Sequence, residues 1–145
     1  MAKILVVYHS LSGNTKAAAE AVAEGARSVP GTHIILKTGP EATPEDLTEC
    51  DGIAVGSYDA FSYMAGGLKD FFDRSFYPTQ GQVTDKPYVA FVTHGGGGRA
   101  IKSVEDICTS FKFKKVAEPV LVRGKPDAGA TARLKSLGIK LAQSC

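Results

Sequence analysis

The chain has 145 residues, 43% hydrophobic and 22% charged, the size and balance of a single ordinary soluble globular domain spanning residues 1–145. Seventeen basic against fifteen acidic residues leave a formal charge of +2, too slight for a nucleic-acid surface, which needs clustered Lys and Arg. The basic cluster Lys112-Phe113-Lys114-Lys115 reads as a solvated helix end.

Short apolar runs alternate with segments of helical period. Ile4-Leu5-Val6-Val7-Tyr8 is continuously apolar, the pattern of a strand buried on both faces. Asn14 to Val29 follows as a helix, with Ala17, Ala18, Ala21, Val22 and Ala26 as its stripe and Pro30-Gly31 as its stop. His33 to Lys37 is the second strand. Thr43-Pro44-Glu45-Asp46 supplies an N-cap, a first-turn proline and dipole-compatible acids, starting a short helix that ends near Cys50. Gly52 to Gly56 is the third strand, and Leu68, Phe71, Phe72 and Phe76 mark a helix packed on the sheet. Tyr88 to Thr93 is the fourth strand. Four glycines then lead into a helix whose inner face carries Ile101, Val104, Cys108 and Phe111. Val116 to Val122 is the fifth strand, and Gly129 to Gln143 closes the chain with Leu134, Leu137, Leu141 and Ala142 on one face.

This alternation predicts right-handed βαβ units and a doubly wound parallel sheet with helices on both faces. Strand orders 2-1-3-4-5 and 3-2-1-4-5-6 share the pattern, and five strands favour 2-1-3-4-5. No apolar stretch approaches the ~20 residues of a membrane span. The first residues lack the long apolar region and cleavage site of a signal peptide. Cys50, Cys108 and Cys145 are widely separated and form no Cys-x-x-Cys pair, against a disulfide framework or zinc site. The expectation is a cytoplasmic protein with no membrane insertion and no nucleic-acid partner.

In such sheets ligands bind beyond the carboxyl ends of the strands, where the strand order reverses. The loop after the first strand, Ser10-Leu11-Ser12-Gly13-Asn14-Thr15, opens a helix whose first N–H groups are unpaired and electropositive. Three hydroxyls and an amide add donors, and the set suits a phosphate better than a lone capping residue would require. The Gly-x-x-x-x-Gly-Lys-Ser/Thr spacing is absent, so nucleotide hydrolysis has little support. The loop after the third strand, Ser57-Tyr58-Asp59-Ala60-Phe61-Ser62-Tyr63-Met64, is rich in rings on which a flat π-system could stack. The residues do not decide which ring does so, nor which simply fold back on the core. The loop after the fourth strand, Thr93-His94-Gly95-Gly96-Gly97-Gly98, lets backbone N–H groups approach a ligand. His94 is placed either to tune a ligand's protonation or to hold the glycine loop by a hydrogen bond. Gly95-x-Gly97-x-x-Ala100 also fits a weak dinucleotide pattern, but the acid it needs is missing: Glu118 lies early in the fifth strand beside Pro119.

Ser10-x-Ser12-Gly13-Asn14-Thr15 after an N-terminal first strand resembles the phosphate loop of flavodoxins. Gly56 to Met64 with Leu68-Lys69-Asp70-Phe71-Phe72-Asp73-Arg74 is similar to the matching stretch of flavodoxins and of flavodoxin-like quinone reductases. The resemblance implies a flavodoxin-like fold binding FMN. Ser10 to Thr15 would hold its phosphate, Ser57 to Ser62 would line the isoalloxazine, and Thr93 to Gly98 would form the second flavin loop. It implies a redox protein carrying electrons between a reductase and acceptor proteins. Two departures matter: no aromatic lies between Thr93 and Ala100, where flavodoxins usually supply a tyrosine, and the chain is slightly basic where they are strongly acidic. An open flavin face would suit the alternative, a small NAD(P)H-dependent FMN or quinone reductase. Such reductases are longer, however, and their usual insertion is not visible here. A third possibility, a module binding some other phosphorylated ligand or a protein, leaves the aromatic loop without a purpose.

Overall fold

The computed structural model describes residues 2–145. β1 (Ala2–Tyr8) lies between β2 (Thr32–Thr38) and β3 (Gly52–Tyr58), and β3 pairs in turn with β4 (Pro87–His94). All these pairings are parallel, with Ala2 to Tyr8 opposite Thr32 to Thr38 and Ile4 to Tyr8 opposite Gly52 to Gly56. The sheet order is 2-1-3-4-5, as the alternation predicts.

The fifth position is not the continuous strand expected over Val116–Val122. It is split into β5 (Lys114–Lys115), opposite Pro87 and Tyr88, and β6 (Val120–Arg123), opposite Phe91 to His94. Four residues, Val116 to Pro119, bridge a gap that β4 crosses in two, so the strand bulges. Pro119 has no N–H to give to the ladder, which restricts it to such an edge irregularity. The basic cluster is also not a plain helix end. Lys112 turns the chain at φ 63°, Phe113 is buried, and Lys115 pairs with Glu105 at 2.7 Å.

β1 shows why a continuously apolar run builds this fold. Leu5 and Val7 point to one face, where α2 (Pro44–Glu49), α3 (Gly66–Thr79) and α4 (Ala100–Ser110) cover them with Leu47, Phe71, Phe72 and Val104. Ile4, Val6 and Tyr8 point to the other, against α1 (Asn14–Arg27) and α5 (Ala128–Gln143). Pleating gives alternate residues to opposite faces, so a strand between two helical layers has no polar side.

The α1–α5 crossing is set by small residues. A Cβ at Gly138 would run into the Val22 carbonyl and stand 2.8 Å from the Ala26 nitrogen, and one at Gly25 would strike the Lys135 carbonyl. Those two glycines let the helix backbones touch. α2, only six residues long, is stabilised at both ends. Thr43 Oγ1 accepts from the Asp46 N–H at 3.2 Å while Asp46 Oδ2 accepts from the Thr43 N–H at 2.9 Å, a reciprocal capping box. Lys86 Nζ donates to the Leu47 and Thr48 carbonyls at 3.0 and 2.8 Å, a cation at the negative end of the helix.

Candidate functional site

Three loops converge beyond the carboxyl ends of β1, β3 and β4. In the first, Ser10 organises the turn. Its Oγ accepts from the Gly13 N–H at 3.1 Å and the Lys16 N–H at 3.2 Å, and its own proton stays available to donate. Gly13, at the N-cap position, takes φ 98° and has no side chain to cap with. The left-handed conformation suits glycine, and it leaves the capping to Ser10. The N–H groups of Leu11, Ser12, Asn14 and Thr15 have no hydrogen-bond partner among the described residues. They are unpaired donors at the positive end of α1, whose first turn holds no acid. The Thr15 hydroxyl, expected to face a phosphate, instead lies 2.7 Å from Thr93 Oγ1, the two residues being 1% and 2% exposed. It ties the start of α1 to the end of β4, so only the N–H of Thr15 is free for a ligand.

The second loop starts later than expected, because β3 continues through Ser57 and Tyr58. Ser57 is buried, and its Oγ donates to the Tyr58 carbonyl at 2.6 Å and accepts from the Ala65 N–H at 2.8 Å. That closes the base of the loop and turns the side chain away from a ligand. Ala60 and Tyr63 exchange both backbone hydrogen bonds, at 2.9 and 3.1 Å. The result is a two-residue hairpin with Phe61 and Ser62 at φ 56° and 66°. Asp59 braces it, its Oδ1 accepting from the Ser62 N–H at 2.7 Å while its own N–H donates to the Thr93 carbonyl at 2.9 Å. Two positive φ values are the demand of a type I′ turn, normally met by Asn-Gly. A phenylalanine there stores on the order of 1 kcal/mol of strain, and its ring is fully exposed. Met64 is the residue of this stretch that folds into the core, Tyr58 is half-buried, and Tyr63 is exposed.

In the third loop β4 runs to His94. No hydrogen bond from the His94 ring holds the glycines. The ring packs beneath them, so that a Cβ on Gly98 would lie 3.0 Å from His94 Cδ2, while the His94 carbonyl accepts from the Gly124 N–H at 2.8 Å. The buried His94 Nδ1 has no hydrogen-bond partner. Gly95 and Gly96 face open space where a side chain would project, and the N–H groups of Gly95 to Gly98 are unpaired among the described residues.

Leu11, Ser12 and Asn14 line a cleft of about 220 Å³ together with Tyr58, Asp59, Thr93, His94, Gly95 and Gly124. Asp59 and Gly95 continue into a hollow of about 510 Å³ with Ser62, Gly96, Gly97 and Arg99. A larger cavity, about 730 Å³, is lined by Ser62, Gly97 and Arg99 and by Ile101, Ile107 and Leu121 along α4. It lies away from the first-loop donors, so the chemistry belongs to the smaller cleft and hollow. Of the residues expected at the site, Ser10, Gly13, Thr15, Ser57, Ala60, Phe61 and Gly98 line neither of these two, and Gly98 lines the larger cavity instead. Gly124 and Arg99 were not singled out from sequence; Gly124 follows the last strand, and applying the carboxyl-end rule to that strand as well would have found it.

The set fits FMN. Unpaired N–H groups at a helix start suit its phosphate. A cleft and hollow lined by Tyr58, Asp59 and side-chain-free Gly95 to Gly97 suit a flat ring, and the buried His94 Nδ1 is an unsatisfied polar atom of a cleft-lining residue. Among the described residues no cluster of His, Cys, Asp and Glu could hold a metal, and no helix is long and apolar enough to cross a membrane.

Residues 6–136 match the family model described as Flavodoxin. A flavodoxin of Aquifex aeolicus (strain VF5) is 45% identical over 98 residues, covering 68% of this chain and 53% of that protein. The chain thus spans about half the length of that relative. An NAD(P)H dehydrogenase (quinone) of Acidithiobacillus ferrooxidans is 34% identical over 151 aligned positions, covering 87% of this chain and 72% of that protein. Among solved structures, a flavodoxin from the domain Archaea superposes with a TM-score of 0.89 at 27% identity, covering 98% of this chain and 97% of the other. The family model over residues 6–136 and the agreement of fold make this chain a member of the flavodoxin family, whose proteins bind FMN.

Proposed function

We propose that this chain, one domain over residues 1–145, carries electrons between a reductase and acceptor proteins. The observation that carries the reading is the row of unpaired N–H groups at the start of α1, with Leu11, Ser12 and Asn14 set in one cleft with residues of the second and third loops. Bound FMN supplies the redox chemistry, taking up and giving up electrons at its ring. Ser10 fixes the first loop so that its donors converge on a phosphate before any ligand arrives. Tyr58 and the Asp59–Ser62 turn would hold the ring from the second loop, and Thr93 to Gly98 from the third. The N–H groups of Gly95 to Gly98 favour negative charge developing against them, by the logic of preorganised donors. An exposed edge of the ring beside the hairpin would let electrons leave.

A second reading, an NAD(P)H-dependent quinone or FMN reductase, is favoured by one observation. Gly95 and Gly96 leave open space where a covering side chain would stand, so a nicotinamide or quinone could stack there.

One experiment separates the two. The visible spectrum of the purified protein is recorded without oxygen before and after NADPH. A flavin spectrum that NADPH leaves unchanged, and that a flavodoxin reductase with NADPH bleaches, supports the carrier. Bleaching by NADPH alone followed by turnover with a quinone supports the reductase. A colourless protein that ignores added FMN refutes both.

A further inference from the structure

The basic side chains around the cleft stand without carboxylate partners. Away from it pairing is mixed: Lys37 pairs with Asp46, Lys69 with Asp73, Arg74 with Asp70 and Lys115 with Glu105, while Arg27, Lys112, Lys114, Arg133 and Lys140 are exposed with no carboxylate partner among the described residues. Around it, Lys16, Arg99, Arg123 and Lys125 are all exposed, and none pairs with a carboxylate among the described residues. Their places in the fold put them on one rim. Lys16 is in the first turn of α1, Arg99 lines the hollow, Arg123 ends β6 opposite His94, and Lys125 follows the cleft-lining Gly124. The one acid lining both cleft and hollow, Asp59, is engaged by the Ser62 N–H.

Within this rim stand two large apolar side chains that the chain itself leaves uncovered, Leu11 on the cleft wall and Phe61 at the hairpin tip. Leu11 is 83% exposed and Phe61 is fully exposed. Phe61 is held out by a strained turn that hydrogen bonds on both sides enforce. Strain kept at an exposed apolar tip points to a contact made outside the chain.

We propose that this rim docks an acidic protein partner, with Phe61 and Leu11 at the apolar centre of the contact and the four cations around them; the proposal rests on the electron-carrier reading. A ring of like charge around an apolar centre is how a transient interface gains encounter rate without gaining lifetime. The cations are spread over three elements on different sides of the cleft. A dinucleotide phosphate would need them gathered into one pocket, so a protein surface is the better match.

The test uses the FMN-loaded protein and two protein probes, an acidic plant-type [2Fe–2S] ferredoxin and basic cytochrome c. One electron passes from reduced ferredoxin to the oxidised flavoprotein, or from the reduced flavoprotein to ferric cytochrome c, each followed by stopped-flow absorbance. Raising ionic strength from about 20 mM to about 500 mM screens the rim. The ferredoxin rate is expected to fall about tenfold, the usual scale of steering, and the cytochrome rate to hold or rise. The double variant Arg123→Glu/Lys125→Glu is expected to lose most of the salt dependence with ferredoxin, its FMN affinity being titrated in parallel to separate a docking loss from a cofactor loss. Independently of electron transfer, amide NMR signals of Phe61 and Arg99 should shift on adding oxidised ferredoxin at low salt only. Rates that ignore salt, or a salt dependence of opposite sign, overturn the proposal while leaving the carrier reading intact. Loss of direct NADPH reduction in the variant, with ferredoxin transfer unchanged, assigns the cations to a dinucleotide and also overturns it. A flavoprotein that exchanges electrons with neither probe brings down the carrier reading and this proposal together.

Discussion

Replacing Thr93 by valine keeps the β-branched shape and removes one atom's hydrogen bond, which makes the Thr15–Thr93 bridge a clean place to test how the site is held. The two hydroxyls lie 2.7 Å apart and are almost wholly buried, and neither has another partner among the side-chain hydrogen bonds of the described residues. Either single variant, Thr15→Val or Thr93→Val, therefore strands a buried hydroxyl. Such a group costs about 1–3 kcal/mol, whereas removing both partners together is close to neutral because nothing is left unsatisfied. Each single variant should thus lose about 2 kcal/mol, or about 4–8 °C in Tm for a chain of this length, and the double variant should recover most of it. The assay is urea unfolding of the apoprotein for all four members of the cycle, which separates the bridge from any ligand effect, followed by FMN titration. The bridge joins the first loop's helix to the strand that carries the third loop, so the singles should also bind FMN less tightly than the double. Single-variant losses below about 0.5 kcal/mol, or losses that simply add in the double variant, would show that the hydroxyls are satisfied otherwise and that the bridge does not hold the two loops together.

Gly138→Ala places a Cβ against the Val22 backbone, which cannot step aside as a side chain end can; a loss of about 1–3 kcal/mol in urea unfolding is expected, and an unchanged midpoint would mean α1 and α5 separate at little cost. Burial works to raise the Asp46 pKa, but the Lys37 ammonium and the Thr43 N–H outweigh it and hold the carboxyl below its ordinary value. Its contribution is therefore full above the ordinary aspartate range and is lost as pH falls through the lowered folded value. Asp46→Asn should be less stable than the parent by about 1 kcal/mol at neutral pH, the gap closing in acid; a gap that persists there would refute the charge argument. Phe61→Gly relieves a positive φ and should raise stability by up to about 1 kcal/mol, while the ferredoxin rate of the variant falls; a destabilised variant would mean the ring packs on the chain after all.

The fold was legible because its signals are local and repeated. An unbroken apolar run such as Ile4 to Tyr8 tolerates no polar face, and only a sheet covered on both sides meets that condition. Thr43-Pro44-Glu45-Asp46 announced a helix start that the structure builds as a capping box. The fifth strand departs from its sequence pattern for the converse reason. Val116 to Val122 is apolar enough to read as one strand, and the effect of Pro119 is a matter of register with β4, which no local pattern carries. Lys112 to Lys115 misled similarly: the charges suggested a solvated helix end, but the buried Phe113 and the Lys115–Glu105 pair make it a turn into an edge strand.

At the site, composition indicated which loops matter but not what each residue does there. Ser10, Ser12 and Thr15 look alike as hydroxyl donors in a sequence. In the fold one organises the turn from within, one lines the cleft, and one is spent on a partner seventy-eight residues away. Ser57 is likewise drawn inward by Ala65. Short polar side chains at strand ends have two claims on them, the ligand and the unpaired backbone of the turn itself, and only three-dimensional placement decides between these. Backbone donors face no such competition once the turn is fixed. The proposed function therefore rests most securely on the unpaired N–H groups of the first loop and of Gly95 to Gly98, which the side-chain hydroxyls position more than they supplement.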